Sequence, residues 1–264
     1  MQTLNLIDYN KSDIKYQIIN FPDGEPHIKL GEINRKHSVQ VHCRICNPND
    51  LFILLQVGDI LNRQGVIFSL HIYYLMSMRM DRVITFEESF SLKVVANLIN
   101  NLNPLRVLIL EPHSETVFKL IDNCSMMTPP KVDFNDYLKV FPDEGAMLRY
   151  RGDEKLHVIC NKIRDPQTGC LTGFKILNPE VIENNPDKPF MVIDDLCDGG
   201  GTFAGIASLL DEYNREKAIY VIHMVNPKGI QTLSKNYDRV IITNSYKNWE
   251  NENLPTNVKV FSVI

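Results

Sequence analysis

The sequence predicts an α/β protein of two domains built on mainly parallel sheets, and three observations predict it. Short apolar runs alternate with helical patterns along most of the 264 residues, as parallel strands joined by crossover helices require. Residues 190–210, FMVIDDLCDGGGTFAGIASLL, pass directly from an apolar run to an acidic pair, a glycine loop and a renewed helical period. Thr128, Pro129 and Pro130 interrupt the pattern near the middle, dividing residues 1–127 from residues 128–264.

Composition fits this class. Hydrophobic residues make up 44% and charged residues 23%, enough apolar matter for an ample core. The formal net charge is −4, with no basic surplus to displace counterions, so a nucleic-acid partner is not expected. No apolar run approaches about 18 residues, and MQTLNLIDYN lacks a basic region before an apolar core. The sequence therefore reads as cytosolic, with no membrane partner. The six cysteines are scattered without a disulfide framework. Cys43 and Cys46 form a C-x-x-C, but no second pair lies nearby to complete a zinc site, so they read as small strand residues.

In chain order, strands are expected at 16–19, 39–43, 51–57, 66–74, 107–110, 157–160, 190–193, 218–223 and 240–243, and helices at 89–101, 115–123, 202–213 and 229–234. FPDGE at 21–25 reads as a turn, since Pro22 fixes φ and Gly24 frees it. The run at 66–74 leads into LMSMRMDRV, so Arg79, Asp81 and Arg82 emerge where α/β sheets place ligand-binding groups. An arginine there suits polyphosphate, because its fork donates two parallel bonds. The strand at 107–110 ends in Glu111, Pro112, His113 and Ser114, where a histidine is either structural or a ligand. FPDEGAMLR at 141–149 reads as a turn. The strand at 157–160 runs into Asn161, Lys162, Ile163, Arg164 and Asp165, with Pro166 and Gly169 beyond. This is expected as a mobile loop whose Lys-x-Arg sends two cations to one side when extended.

The stretch at 190–210 carries the chemistry. Glycines let consecutive amides turn toward an anion, and the following helix adds the partial positive charge of its N-terminus. Asp194 and Asp195 cannot bind phosphate but can accept hydrogen bonds from a vicinal diol. Together with Asp198, Gly199, Gly200, Gly201 and Thr202 they outline a cradle for a ribose 5-phosphate group. The alternative is an ordinary strand-to-helix turn in which Asp198 caps the helix and Asp194 is solvated.

These stretches, covering roughly residues 20–246, resemble the ribose-phosphate pyrophosphokinase family. The cradle resembles that family's ribose-phosphate motif, shared with type I phosphoribosyltransferases: an apolar strand, two acids, two variable residues, then Asp-Thr-x-Gly-Thr, with Gly199 here in place of the first Thr. FPDGE resembles the Phe-Ser-Asp/Asn-Gly/Gln-Glu turn that holds adenine in a neighbouring subunit's site. That implies ATP-binding roles for Phe21, Asp23 and Glu25, and at least a homodimer. Arg79 and Asp81 match the family's Tyr-x-Arg-Gln-Asp loop, with Met80 replacing Gln. ESFSLKVVAN at 88–97 resembles the helix that follows. His113 matches the histidine that contacts magnesium-bound ATP phosphates, with Glu111 replacing an Asp before it. Pro142, Asp143, Gly145 and Arg149 fit Pro-Asp-Ala-Gly-x-x-x-Arg, whose Asp serves the magnesium site; Glu144 replaces Ala, and Leu148 stands where many members carry Lys. Lys162 and Arg164 match the catalytic Lys-x-Arg of the flexible loop, and Ile241, Ile242, Thr243, Asn244 and Ser245 resemble a Thr-Asn-Ser segment near the C-terminus.

The resemblance implies two phosphoribosyltransferase-like domains, an ATP side and an acceptor side, with the active site between them and Mg2+ as cofactor. The β,γ-diphosphate of ATP would move to the anomeric hydroxyl of a ribose 5-phosphoryl acceptor, releasing AMP. Lys162 and Arg164 would be catalytic, with metal contacts at His113 and Asp143. The family's first helix and last helix have no counterpart here. With the glycine-rich 198–202 loop, this resembles a compact branch linked to NAD metabolism, which leaves two acceptors open, ribose 5-phosphate as the family default and ADP-ribose. Two other classes remain open: a phosphoribosyltransferase consuming phosphoribosyl pyrophosphate, and an inactive regulatory homologue.

Overall fold

The computed structural model describes residues 1–130, 132–150, 153, 155–163 and 173–264 in full, and the backbone alone at 164, 171 and 172. The chain folds as two compact units, Met1–Pro129 and Pro130–Ile264. Both are α/β with mainly parallel sheets, as the alternation of elements predicts.

In the first unit, β1 (Gln2–Asn5) precedes a hairpin of β2 (Tyr16–Asn20) and β3 (Pro26–Leu30). Then come β4 (Val39–Ile45), α1 (Pro48–Arg63), β5 (Phe68–Leu75), α2 (Ser91–Asn100), β6 (Arg106–Leu110), α3 (Thr116–Leu120) and β7 (Cys124–Met127). Strands β1, β4, β5, β6 and β7 form one parallel sheet in that order, while β2 and β3 pair antiparallel in a sheet of their own. Val39, Val41, Cys43 and Ile45 alternate along β4 to bury one face. That face packs against Leu54, Val57 and Leu61 of α1 and Leu92, Val95 and Ile99 of α2 in a single core.

Residues 51–57 are helix, where the mainly apolar run LFILLQV predicts a strand. Burial falls at Leu51, Leu54, Val57, Gly58 and Leu61, a helical spacing, and Phe52 between them is exposed. The start is fixed by a capping box: the Asn47 side chain accepts from the Asn49 and Asp50 amides, Asp50 returns a bond to the Asn47 amide, and Pro48 follows the cap. Residues 115–123 also depart from expectation, since α3 is only five residues long. The chain then turns through left-handed Asn123 into β7, so the Pro-rich break begins after a strand.

In the second unit the order is β8 (Leu138–Phe141), α4 (Glu144–Arg149), β9 (Val158–Arg164), β10 (Leu171–Ile176), α5 (Glu180–Glu183), β11 (Phe190–Cys197), α6 (Gly201–Leu210), β12 (Lys217–Met224), α7 (Pro227–Asn236), β13 (Arg239–Thr243) and β14 (Val258–Phe261). Its sheet runs β10-β9-β8-β11-β12-β13-β14, parallel except for the β9–β10 hairpin. From β8 the chain builds outward to β9 and β10, then returns to place β11 on the other side of β8 before continuing to β12. The strand order therefore reverses between β8 and β11, and crevices at the carboxyl ends of such strands are where open α/β sheets bind ligands.

Two expectations about this unit are corrected. Asn161, Lys162 and Ile163 are not loop but the continuation of β9, with Lys162 paired opposite Phe174 of β10. Asp165, Pro166 and Gly169, expected in the same loop, lie outside the described residues. The strand expected at 190–193 runs on to Cys197, so the acidic pair lies within β11, with Asp194 opposite Val221 of β12.

The helical assignment of residues 51–57 has a measurable consequence. Leu54→Ala should lower unfolding free energy by about 2–5 kcal/mol in urea titration, because Leu54 is fully buried. Phe52→Ala, two residues away on the exposed side, should change it by less than about 1 kcal/mol.

Candidate active site

The residues expected at the site fall into two sets, one per unit. In the first unit they occupy a hairpin tip and two loops after parallel strands. Phe21, Asp23 and Glu25 form the turn between β2 and β3, closed by Phe21 N–H to the Glu25 carbonyl at 2.9 Å and Gly24 N–H to the Phe21 carbonyl at 2.9 Å. Gly24 has φ +90°, which glycine adopts without strain. The Asp23 carboxylate accepts from the Glu25 amide at 3.1 Å, and Phe21 is exposed at the tip.

Arg79 and Asp81 follow β5, and His113 follows its neighbour β6, so both loops leave the same end of adjacent strands. Arg79 is exposed. Asp81 is buried, and it accepts from Arg82 Nε at 2.8 Å and Nη2 at 3.2 Å. The Arg82 hydrogen bond holds the Asp81 carboxyl below the usual carboxylate range. Glu111, beside His113, is buried with φ 39°, a left-handed conformation uncommon for a non-glycine residue.

In the second unit the expected residues and one further side chain form a connected chain of contacts at the strand-order reversal. Asp143 follows β8 and caps α4, accepting from the Ala146 amide at 2.9 Å. Its other carboxylate oxygen lies 3.6 Å from Lys162 Nζ on β9. At the other end of α4, Arg149 Nη1 lies 2.6 Å from Asp195 and 3.3 Å from Asp194 on β11. Asp195 is 2% exposed and Asp194 17%. Burial, followed by the charge of Asp195, pushes the Asp194 carboxyl well above the usual range, and Arg149 works against that rise. The Arg164 side chain lies outside the described residues.

The loop after β11 turns into α6 at Gly200, which has φ +82° and no side chain to cap the helix. A Cβ there would lie 2.8 Å from Thr232 Cβ, so both conformation and space require glycine. Asp198 does not cap α6. It accepts from Asn226 Nδ2 at 2.9 Å, and Asn226 itself caps α7. The Gly199 carbonyl accepts from Thr232 Oγ1 at 3.0 Å. At Gly229 a Cβ would meet the Asp198 carbonyl at 2.0 Å, so α7 supports the loop by direct backbone contact. The amides of Gly201, Thr202 and Phe203 thus open α6 without a side-chain cap, at the positive end of the helix. A Cβ at Gly199 or Gly201 would meet nothing within 4 Å.

Arg149 was not singled out as a site residue in the sequence. The signal was its place in Pro142-Asp143-x-Gly145-x-x-x-Arg149, but the acids it meets lie 45 and 46 residues away. Among the described residues, no group of three or more His, Cys, Asp or Glu side chains could hold a metal ion.

This fold, with its strand, acidic pair and glycine loop, defines a protein of the type I phosphoribosyltransferase-like α/β class. The chain is 28% identical over 251 residues to the ribose-phosphate pyrophosphokinase of Nostoc sp., covering 89% of this chain and 76% of that one. It is 28% identical over 246 residues to the enzyme of the same name from Helicobacter hepaticus, covering 88% and 79%. The phosphoribosylpyrophosphate synthetase structure from Mycobacterium smegmatis shares the fold with a TM-score of 0.79 and 20% identity, over 97% of this chain and 88% of that one. No family-wide sequence profile matches. The chain is thus similar over most of its length to ribose-phosphate pyrophosphokinases, and it shares the fold of a phosphoribosylpyrophosphate synthetase.

The Asp194 environment predicts a pH-dependent stability. A carboxyl whose folded pKa is raised favours the folded state when protonated, so that contribution is full below the unfolded value and is lost as pH rises through the folded one. Asp194→Asn should therefore raise the melting temperature at pH 7.5, with the gain shrinking toward pH 4. Thermal unfolding followed across that range checks it.

Proposed function

We propose that the protein transfers the β,γ-diphosphate of ATP to the anomeric hydroxyl of a ribose 5-phosphoryl acceptor, releasing AMP. The observation that carries this is the connected set Lys162, Asp143, Arg149, Asp194 and Asp195 at the reversal between β8 and β11, beside an uncapped glycine-rich helix start. Attack of the acceptor oxygen on the β-phosphorus forms one P–O bond and breaks the bond to AMP. Negative charge rises on a group that is already anionic, so positioning and concentrated positive charge are the main requirements.

The chain's own residues suit those requirements. Asp194 and Asp195 accept hydrogen bonds from the ribose diol, and the amides at Gly199, Gly200, Gly201 and Thr202 receive the 5-phosphate, with Thr202 adding a hydroxyl. Asp198 braces that loop through Asn226. Lys162 leaves its partly exposed Asp143 partner, a weak pairing at 3.6 Å, to meet the transferring phosphoryl group. Arg164 accompanies it as the second cation. On the ATP side, Arg79 and His113 serve the polyphosphate, Asp81 supports the ATP-binding loop through its bond to Arg82, and Phe21, Asp23 and Glu25 serve the adenine of a neighbouring chain, making the assembly a homodimer or larger.

Magnesium fits the donors present. It is held by one or two carboxylates together with substrate phosphates and water, so a full protein cage is not required. Asp143, whose side chain is nearly half-exposed, would supply a carboxylate to it, and the ion would supply charge neutralisation on the triphosphate.

Ribose 5-phosphate suits the cradle, and one observation favours a larger acceptor. The space beside Gly199 is open to 4 Å, which supports ADP-ribose, whose ribose carries a 5-diphosphoryl group. Mixing the protein with ATP, magnesium and each acceptor should release AMP; release with neither acceptor overturns the proposal in favour of an inactive homologue. Gly199→Thr should move the ratio of kcat/KM toward ribose 5-phosphate by about tenfold, the scale of one added hydrogen bond and a narrowed pocket. Lys162→Ala should reduce turnover by about a thousandfold or more while ATP binding by calorimetry stays within about threefold.

A further inference from the structure

We propose that Arg149 is a positioning residue for the acceptor, tying the two β11 carboxylates into one fixed receptor for the ribose diol; this rests on the second unit being the acceptor side. The geometry is specific. A single guanidinium nitrogen, Nη1, serves both acids, with 2.6 Å to Asp195 and 3.3 Å to Asp194. The Nη1 amine has two hydrogens, one for each carboxylate. The Arg149 side chain is 17% exposed, the same as Asp194, while Asp195 is almost completely enclosed.

A purely structural ion pair would need only one of these acids. Placing two carboxylates at consecutive positions of a buried strand adds like-charge repulsion and desolvation, and a shared cation relieves both only while it stays between them. The chemistry of a diol explains why both acids are kept. Its hydroxyls donate, and an ionised carboxylate only accepts. Were either acid to take up a proton, it would become a donor itself and lose part of its capacity toward the sugar. Arg149 thus acts on the ligand through Asp194 and Asp195.

Its place in the fold gives the arrangement precision. Arg149 ends a six-residue helix whose N-cap, Asp143, meets Lys162. One short rigid element therefore fixes the acids' counter-ion at one end and Lys162's partner at the other.

The test uses the full chain, with steady-state AMP release and, separately, calorimetric binding of ribose 5-phosphate and of ADP-ribose without ATP. For Arg149→Met the acceptor KM and Kd should rise about tenfold or more, with the ATP KM and kcat within about threefold. Arg149→Lys keeps the charge but loses the fork, so it should restore a substantial part of the lost affinity. Unchanged acceptor affinity in Arg149→Met, or ATP and acceptor constants rising together, overturns the assignment. If Arg149→Met melts before assay, Arg149→Lys decides: weakened acceptor binding at an unchanged melting temperature supports the proposal, and unchanged binding overturns it. If the wild type binds an acceptor but releases no AMP, the transferase mechanism fails while the binding comparison still judges Arg149. If the wild type binds neither acceptor, the acceptor-side assignment fails and the role of Arg149 with it.

Discussion

Two carboxylates at consecutive positions near the end of a buried strand repel each other and resist losing water, so their coexistence depends on the cation beside them. Much of the second unit can be understood from that constraint. Arg149 must reach Asp194 and Asp195 from a neighbouring element, and α4 supplies it because β8 lies directly beside β11. The strand-order reversal creates the crevice, and the helix that starts from β8 delivers the counter-charge to it. Removing the cation would strand an acid that is 2% exposed, a far larger penalty than loss of a surface pair.

The glycine loop after β11 follows a complementary rule, in which space takes the place of charge. Gly200 turns the chain left-handed against Thr232, and Gly229 lets α7 approach the Asp198 carbonyl. Asp198 and Asn226 hold each other, leaving the start of α6 free of a side-chain cap. Acids fixed by an arginine and helix-start amides left without a side-chain cap thus sit at the two ends of one short stretch. The stability cost of the raised Asp194 carboxyl is accepted at a site and carried by the large core beneath it.

What was legible in the sequence was what is local. Strand, acids, glycines and helix at 190–210 are contiguous, and their order along the chain is the order found in β11 and α6. The helix at residues 48–63 reads as a strand from sequence because five apolar residues in a row, Leu51 to Leu55, match a buried strand in length, although Asn47, Pro48 and Asp50 spell out a helix start. β9 was cut short because Lys162 and Arg164 look like loop residues, yet a hairpin with β10 carries such side chains on a strand. Short strands of four to six residues, such as β1, β3, β7, β8, β10 and β14, had too few apolar positions to register. The contact between Arg149 and the acids joins residues 45 and 46 positions apart, and no local pattern encodes such a distance.

The first unit shows the same division between local and non-local information. Arg79, Asp81 and His113 were legible as groups at strand ends, because carboxyl ends of parallel strands are where such residues gather. Their individual environments were not. Asp81 turned out to be buried against Arg82, so within the unit its carboxylate organises the loop that presents Arg79. Glu111, the longer acid where the resemblance has Asp, is buried in a left-handed conformation two residues ahead of His113. A longer side chain and a strained backbone at one position are consistent with a single requirement, that of placing a carboxylate inward while the next residues emerge from the sheet. At Glu111, therefore, backbone geometry joins side-chain identity in setting what the loop presents.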